Sequence, residues 1–342
     1  MVTRNYVDSS RRSWDGSRAR PIRTSIWYPT RSGLPLTAIL DSSLPFLVPL
    51  VAENGPLAGS GRRYPLIMLS HGTGGSAIQM MWLGHFLASH GYVVAALNHH
   101  GNTGSEPRLA PQGFLLYWER APDVRVAIDR LLEDPMFGAA IDTSRVGAAG
   151  FSLGGYTMLA IGGARFNPTE YATFCRSNQR DFTCGPQAEF PQAPALFEEI
   201  KRTDVRVQES LKHASDSYHD PRVKAVLAIA PPLGSGFTGN DLADIRIPVA
   251  IIVGEGDTIA APATNAQRYA ALIPSANLTI LPGAVGHYTF LAECTDRGKA
   301  LIPVCREAPG VERKVIHEQV SQLALKFFDA ALIRNPSIPT DR

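Results

Sequence analysis

Apolar positions along this chain change period several times, and the changes predict its elements. Across residues 20–30, Ile22, Thr24, Ile26 and Tyr28 alternate with their neighbours, the two-residue period of a strand with one buried face. With Arg4-Asn5-Tyr6-Val7 ahead of it, this stretch predicts an N-terminal antiparallel pair. Residues 31–63 are rich in Gly, Pro, Ser and Leu without a sustained period, and predict a long irregular connection with one short helix near 46–52. Continuous apolar runs then follow at 65–70, 92–97, 145–149, 223–230, 249–253 and 278–281, each the length of a buried strand. Helical spacing occupies 77–90, carried by Ile78, Met81, Trp82, Phe86 and Leu87, and 124–132, carried by Val124, Ala127, Ile128, Leu131 and Leu132. Further helices are expected at 156–164, 264–272 and 312–332. Strands alternating with helices predict an α/β fold with a mostly parallel sheet covered on both faces.

Residues 165–221 break the alternation. They contain no apolar strand, several prolines and two short helical patterns, at about 193–202 and 205–214. An insertion of that length in a compact domain is usually functional, so the expectation is one domain over 1–342 with a cap at 165–221.

Gly150-Phe151-Ser152-Leu153-Gly154 lies where a strand pattern gives way to a helix pattern. G-x-S-x-G in that context is a nucleophile elbow, in which glycines two before and two after the serine allow a sharp turn. Ser152 is therefore the candidate nucleophile. A serine hydroxyl needs a base, and the base needs an orienting carboxylate. Asp257 follows the strand at 249–253 and is the candidate acid, with Glu255 in reserve in the same loop. His287 follows the strand at 278–281 and is the candidate base; His317 falls within the last helix pattern, and His213 and His219 lie in the insertion. The order Ser, Asp, His suits this architecture. The N–H of Leu153, next to the nucleophile, and that of Thr73, in His71-Gly72-Thr73-Gly74-Gly75, are the expected oxyanion donors. His71 is expected to hold that loop. His99 and Tyr288 are expected to line the substrate pocket. His99 and His100 are adjacent in an extended segment, so they point apart and no shared metal ion is expected.

Bulk properties narrow the partners. With 33 basic and 31 acidic residues and a formal charge of +2, the chain offers no electrostatic reason to bind nucleic acid. No apolar run is long enough for a membrane span. Residues 1–23 are polar and arginine-rich without the apolar segment of a signal peptide. The four cysteines fall in two local pairs, Cys175 with Cys184 and Cys294 with Cys305, each bracketing a loop-like stretch without zinc-site spacing. Two disulfides are expected, and with them a periplasmic or secreted location, the signal being absent from this sequence; reduced thiols would instead place the protein in the cytoplasm.

These motifs resemble those of the α/β-hydrolase superfamily. More narrowly, Ser25-Ile26-Trp27-Tyr28-Pro29, Leu69-Ser70-His71-Gly72, Asn98-His99-His100-Gly101-Asn102-Thr103, the elbow, and Gly286-His287-Tyr288-Thr289-Phe290-Leu291-Ala292-Glu293-Cys294 are similar to the bacterial group of predicted dienelactone hydrolases related to platelet-activating-factor acetylhydrolases. The resemblance implies a nucleophile at Ser152, an acid at Asp257 and a base at His287. Enzymes that act on dienelactone use a cysteine nucleophile, so it does not extend to that substrate. The expected activity is hydrolysis of a neutral, fairly apolar ester or lactone through an acyl-enzyme, without metal or organic cofactor. Amide hydrolysis by the same groups is the neighbouring alternative. A non-catalytic binding protein would be expected to lack one of the three residues, and a dehalogenase or epoxide hydrolase needs a carboxylate at the elbow.

Overall fold

The computed structural model describes residues 1–39, 45–59 and 61–333. Eight strands form one sheet: β1 (Val2–Arg12), β2 (Ala19–Trp27), β3 (Tyr64–Ser70), β4 (Val93–Leu97), β5 (Ile141–Phe151), β6 (Val223–Ile229), β7 (Val249–Gly254) and β8 (Ala276–Leu281). Their order is β1-β2-β4-β3-β5-β6-β7-β8. β1 and β2 are antiparallel, β2 meets β4 antiparallel, and β4 to β8 run parallel. Every residue of β3 and β4 is buried, as continuous apolar runs require when both faces are covered.

The helices are α1 (Met81–Ser89), α2 (Pro111–Leu115), α3 (Arg120–Glu133), α4 (Leu153–Ile161), α5 (Pro168–Ser177), α6 (Ala193–Thr203), α7 (Val205–Lys212), α8 (Gly239–Leu242), α9 (Ala266–Leu272), α10 (Asp296–Leu301) and α11 (Arg313–Phe328). The chain passes from β3 through α1 to β4 on one side, then through α3 back past β3 to β5 on the other. Right-handed crossovers in opposite directions place α1 and α3 on opposite faces. α11 packs with α1, and α4 with α3. The reversal leaves a crevice beyond the carboxyl ends of β3 and β5, the usual ligand position in such sheets. Among the described residues, no helix is long and apolar enough to cross a membrane.

Three expectations need correction. No helix forms in the described part of the 31–63 connection. Across 46–52, Phe46 bridges to Cys294 and Val51 to Thr37 instead, and Pro49 in mid-stretch would have broken a helical ladder. α3 begins at Arg120, earlier than its apolar stripe, because Pro122 sits in the first turn, where its missing N–H costs nothing. The insertion holds a third helix, α5, marked by Asn167 as N-cap, accepting from Glu170 N–H at 3.0 Å, and Pro168 at the first helical position. The insertion returns to its starting point, since Asp220 N–H donates to Ile161 O at 2.9 Å at the end of α4.

Candidate active site

The turn from β5 into α4 holds Ser152 at φ 53°, ψ −126°, outside the usual range of an L-residue. Its N–H donates to Ile229 O at 2.8 Å, and its carbonyl accepts from Gly155 and Tyr156 as the helix begins. The turn is closed so tightly that a Cβ on Gly150 would overlap the Gly154 carbonyl, and one on Gly154 the Ser70 carbonyl. Ser152 thus stands at the mouth of the crevice, at the N-terminus of a buried helix.

His287 lies in a helical turn six residues beyond β8. Its Nε2 is 2.9 Å from Ser152 Oγ, and its Nδ1 is 2.7 Å from Asp257 Oδ2. The other Asp257 oxygen accepts from the N–H groups of Ile259 and Ala260 at 2.9 and 2.8 Å, so the carboxylate is fixed on both sides. A carboxylate facing Nδ1 selects the tautomer with the proton there, leaving Nε2 to accept from the serine hydroxyl. Glu255 goes elsewhere: it is exposed and accepts from Gly283 N–H at 2.6 Å.

Thr73 and Leu153 line one cleft with Ser152, His287 and Tyr288. Among the described residues, neither backbone N–H donates to a protein acceptor. The loop carrying Thr73 is clamped by the stretch after β4. Asn102 Oδ1 accepts from Gly74 N–H at 2.6 Å, Asn98 Oδ1 accepts from Ala77 N–H at 3.0 Å, and Thr103 Oγ1 donates to Gly75 O at 2.8 Å. These contacts give the N-H-x-G-N-T stretch a physical role that its spacing alone did not reveal.

His99 does not reach the cleft. It is fully buried behind the loop, with Nε2 2.8 Å from Ser70 Oγ and Nδ1 3.0 Å from Asp123 Oδ2. Its strand-end position is real, but its ring turns inward toward a buried carboxylate. Asp123 also accepts from Arg20 Nε at 2.7 Å and Arg11 Nη2 at 2.6 Å. The three guests of Asp123 therefore come from β4's end and from both N-terminal strands. Ser70, His99 and Asp123 repeat the serine–histidine–aspartate chain, but no solvent or substrate reaches them, and the arrangement serves to pin the end of β3. His100 points the opposite way, to Trp14 N–H and Glu106.

His71 does hold the loop. Its Nδ1–H donates to Gly72 O at 2.6 Å, and its Nε2 accepts from His99 N–H at 3.2 Å. Arg120 Nη2 donates to His71 O at 2.6 Å. Burial, helped by the Arg120 charge, keeps His71 neutral far below the ordinary histidine range; the same causes lower His99 to about 3. Arg120 is itself buried with Nε and Nη1 unpartnered among the described residues, and burial lowers it to about 9.

Two residues of α11 make contacts that its helix pattern does not foretell. His317, on α11, stacks on Trp82 at 4.1 Å between ring centroids and donates from Nε2 to Thr289 O at 3.0 Å. Arg313 donates to Ala292 O at 2.9 Å and Val304 O at 2.7 Å. Together they brace the segment after His287 from behind. The cysteines stand at disulfide distance in two pairs, Cys175–Cys184 with Cα atoms 5.4 Å apart and Cys294–Cys305 at 5.8 Å.

Comparison with known proteins places the fold. None of the curated protein sequences matches significantly. Among solved structures, the chain is similar to a ferulic acid esterase from Streptomyces cinnamoneus, with a TM-score of 0.60 over 100% of this chain and 92% of that one. Sequence identity is 20%, so the likeness speaks to the fold alone. A model of the alpha/beta hydrolase family matches residues 66–299, from β3 through the segment after His287. With that match over most of its length, and with the sheet order and crossovers described above, this chain belongs to the alpha/beta hydrolase family.

Proposed function

We propose that the protein is a serine hydrolase of carboxylic esters. The observation that carries this reading is the hydrogen-bonded chain from Ser152 Oγ through His287 to Asp257, at 2.9 and 2.7 Å, opening on a cleft lined by Thr73 and Leu153, whose N–H groups donate to no acceptor among the described residues. Ser152 Oγ attacks the ester carbonyl while His287 Nε2 takes its proton. The negative charge that develops on the carbonyl oxygen is received by the N–H groups of Thr73 and Leu153 and by the N-terminus of α4. His287 passes its proton to the departing alcohol, leaving an acyl-enzyme at Ser152. Water, deprotonated by His287, then releases the acid and restores the serine.

The insertion is read as a cap, because Phe182, Thr183, Gly185, Gln187, Ala188 and Glu189 form one wall of the Ser152 cleft. Apart from Glu189 and His287 the cleft is lined by uncharged residues, which suits a neutral, fairly apolar ester. The solved neighbour's name as a ferulic acid esterase supports ester over amide. The narrower kinship with dienelactone-hydrolase-like and acetylhydrolase-like bacterial proteins belongs to this reading, as does export to an oxidising compartment, for which the two cysteine pairs argue. A fluorophosphonate probe tests the reading directly. It should label the protein at Ser152, and Ser152→Ala should abolish labelling; labelling elsewhere, or none in protein that is folded, would overturn it.

A further inference from the structure

We propose that a second cavity beside the Ser152 cleft belongs to the substrate site and takes an aromatic ring borne by the ester. The inference rests on the esterase reading given above. The second cavity measures about 590 Å³ with its open mouth, against about 560 Å³ for the cleft itself. Five aromatic side chains line it: Phe114, Tyr117, Tyr171, Phe190 and Phe197. None of its lining residues is charged. Phe190 and Phe197 remain partly exposed, so these rings border a space rather than fill it as core side chains do. Phe114 and Phe190 already meet edge to face at 5.2 Å, the geometry a guest ring would extend.

The two cavities share a wall made of Tyr117, Thr183, Gly185 and Gln187. Part of that wall is held firmly, Thr183 by Asp181 and Tyr171 and Cys184 by Cys175. The weak point is the side chain of Gln187, which makes one long hydrogen bond, from Nε2 to Phe114 O at 3.3 Å, while its buried Oε1 has no partner among the described residues. A Cβ added at Gly185 would meet, beyond its chain neighbours, only Phe182 O, at 3.5 Å, so the space on that side of the wall is open. A small movement of residues 185–187 therefore joins the cavities, with the ester carbonyl at Ser152 and the ring among the five aromatics. The neutral lining excludes charged groups, and the ring edges and faces favour a planar aromatic guest over an aliphatic chain of equal size.

Three esters test this: ethyl acetate without a ring, ethyl cinnamate with a ring on the acyl side, and phenethyl acetate with a ring on the alcohol side. Phe190→Ala removes an aromatic partner, and Phe197→Trp fills the space. Both should lower kcat/KM about tenfold for at least one ring-bearing ester and leave ethyl acetate within about twofold. Using two variants that act by opposite volume changes separates a lost binding site from a loosened fold, which would lower all three rates together. Equal change for all three esters, or no change for either ring-bearing ester, overturns the proposal while the esterase reading stands. If the unaltered protein hydrolyses none of the three and takes no fluorophosphonate, the esterase reading fails and this inference with it.

Discussion

Ser152 sits in backbone geometry that an L-residue adopts only when its surroundings force it. Two glycines without room for a Cβ supply that force, so the elbow is rigid before any substrate arrives. Ser152→Ala should fold normally and lower kcat by about 10⁴-fold, checked by single-turnover assay beside a thermal melt. Asp257→Asn should lose most activity, because an amide facing His287 Nδ1 no longer selects the reactive tautomer. Glu255→Gln should retain nearly all of it, since that side chain serves Gly283 instead. The reverse outcome would move the acid role to Glu255. Serine, aspartate and histidine were readable in the sequence because each follows an apolar strand run, and strand ends converge in this architecture. His99 was not. Its position at a strand end was legible, but whether a ring turns toward a cleft or a buried carboxylate depends on Asp123, 24 residues away in α3.

At the scale of elements, the loop carrying Thr73 does not hold its own shape. The stretch after β4 holds it through Asn98, Asn102 and Thr103, and the Ser70–His99–Asp123 chain fixes the strand end from which it springs. Asn102→Ala should therefore lower kcat by roughly 10–100-fold with a smaller effect on KM, because a misplaced oxyanion donor weakens transition-state binding above all. A change confined to KM would show that the clamp shapes the pocket rather than the oxyanion site. On the other side of the cleft, α11 braces the His287 segment through His317 and Arg313. The Cys294–Cys305 pair closes a loop of sequence separation 11 alongside, for which chain entropy gives roughly 3 kcal/mol. Replacing both cysteines by serine should lower Tm and kcat together, whereas breaking Cys175–Cys184 should mainly alter KM. The α5 cap signal, Asn167-Pro168, is present in the sequence, but its short helix lacks a clear apolar stripe and no residue of it is buried. The bracing by α11 had no sequence signal, since a lone histidine in an amphipathic helix looks like any other packed residue.

For the whole molecule, three histidines are buried in a neutral state, His71, His99 and His317, the last lowered by burial to about 4. Above the ordinary histidine value of 6.5 these groups are neutral folded or unfolded. As pH falls below it, the unfolded chain takes up protons that the folded one refuses, so stability should drop by up to about 1.4 kcal/mol per pH unit for each histidine. The window from 6.5 to 4.5 lies above the titration of ordinary carboxylates; Glu189, raised by burial, and His213, raised by its hydrogen bonds to Asp216 and Glu209, work the other way there. Thermal melts across that range should show a falling Tm, shallower in His317→Gln; a flat profile would contradict neutral burial. Asp123→Asn should destabilise by about 3–5 kcal/mol, since it strands the buried Arg20 without its carboxylate, whereas Arg11 keeps Asp8 and Glu119. The N-terminal hairpin is thereby fastened to the parallel part of the sheet by charge as well as by strand pairing.

The insertion leaves the sheet at the end of α4 and rejoins it one hydrogen bond away, Asp220 N–H to Ile161 O at 2.9 Å. A segment whose two ends coincide is modular. It can lengthen, shorten or be exchanged for a foreign one without asking any strand to shift. Selection can then rewrite what this scaffold accepts while Ser152, His287 and Asp257 stay where the strands put them, and a protein engineer can graft at the same seam.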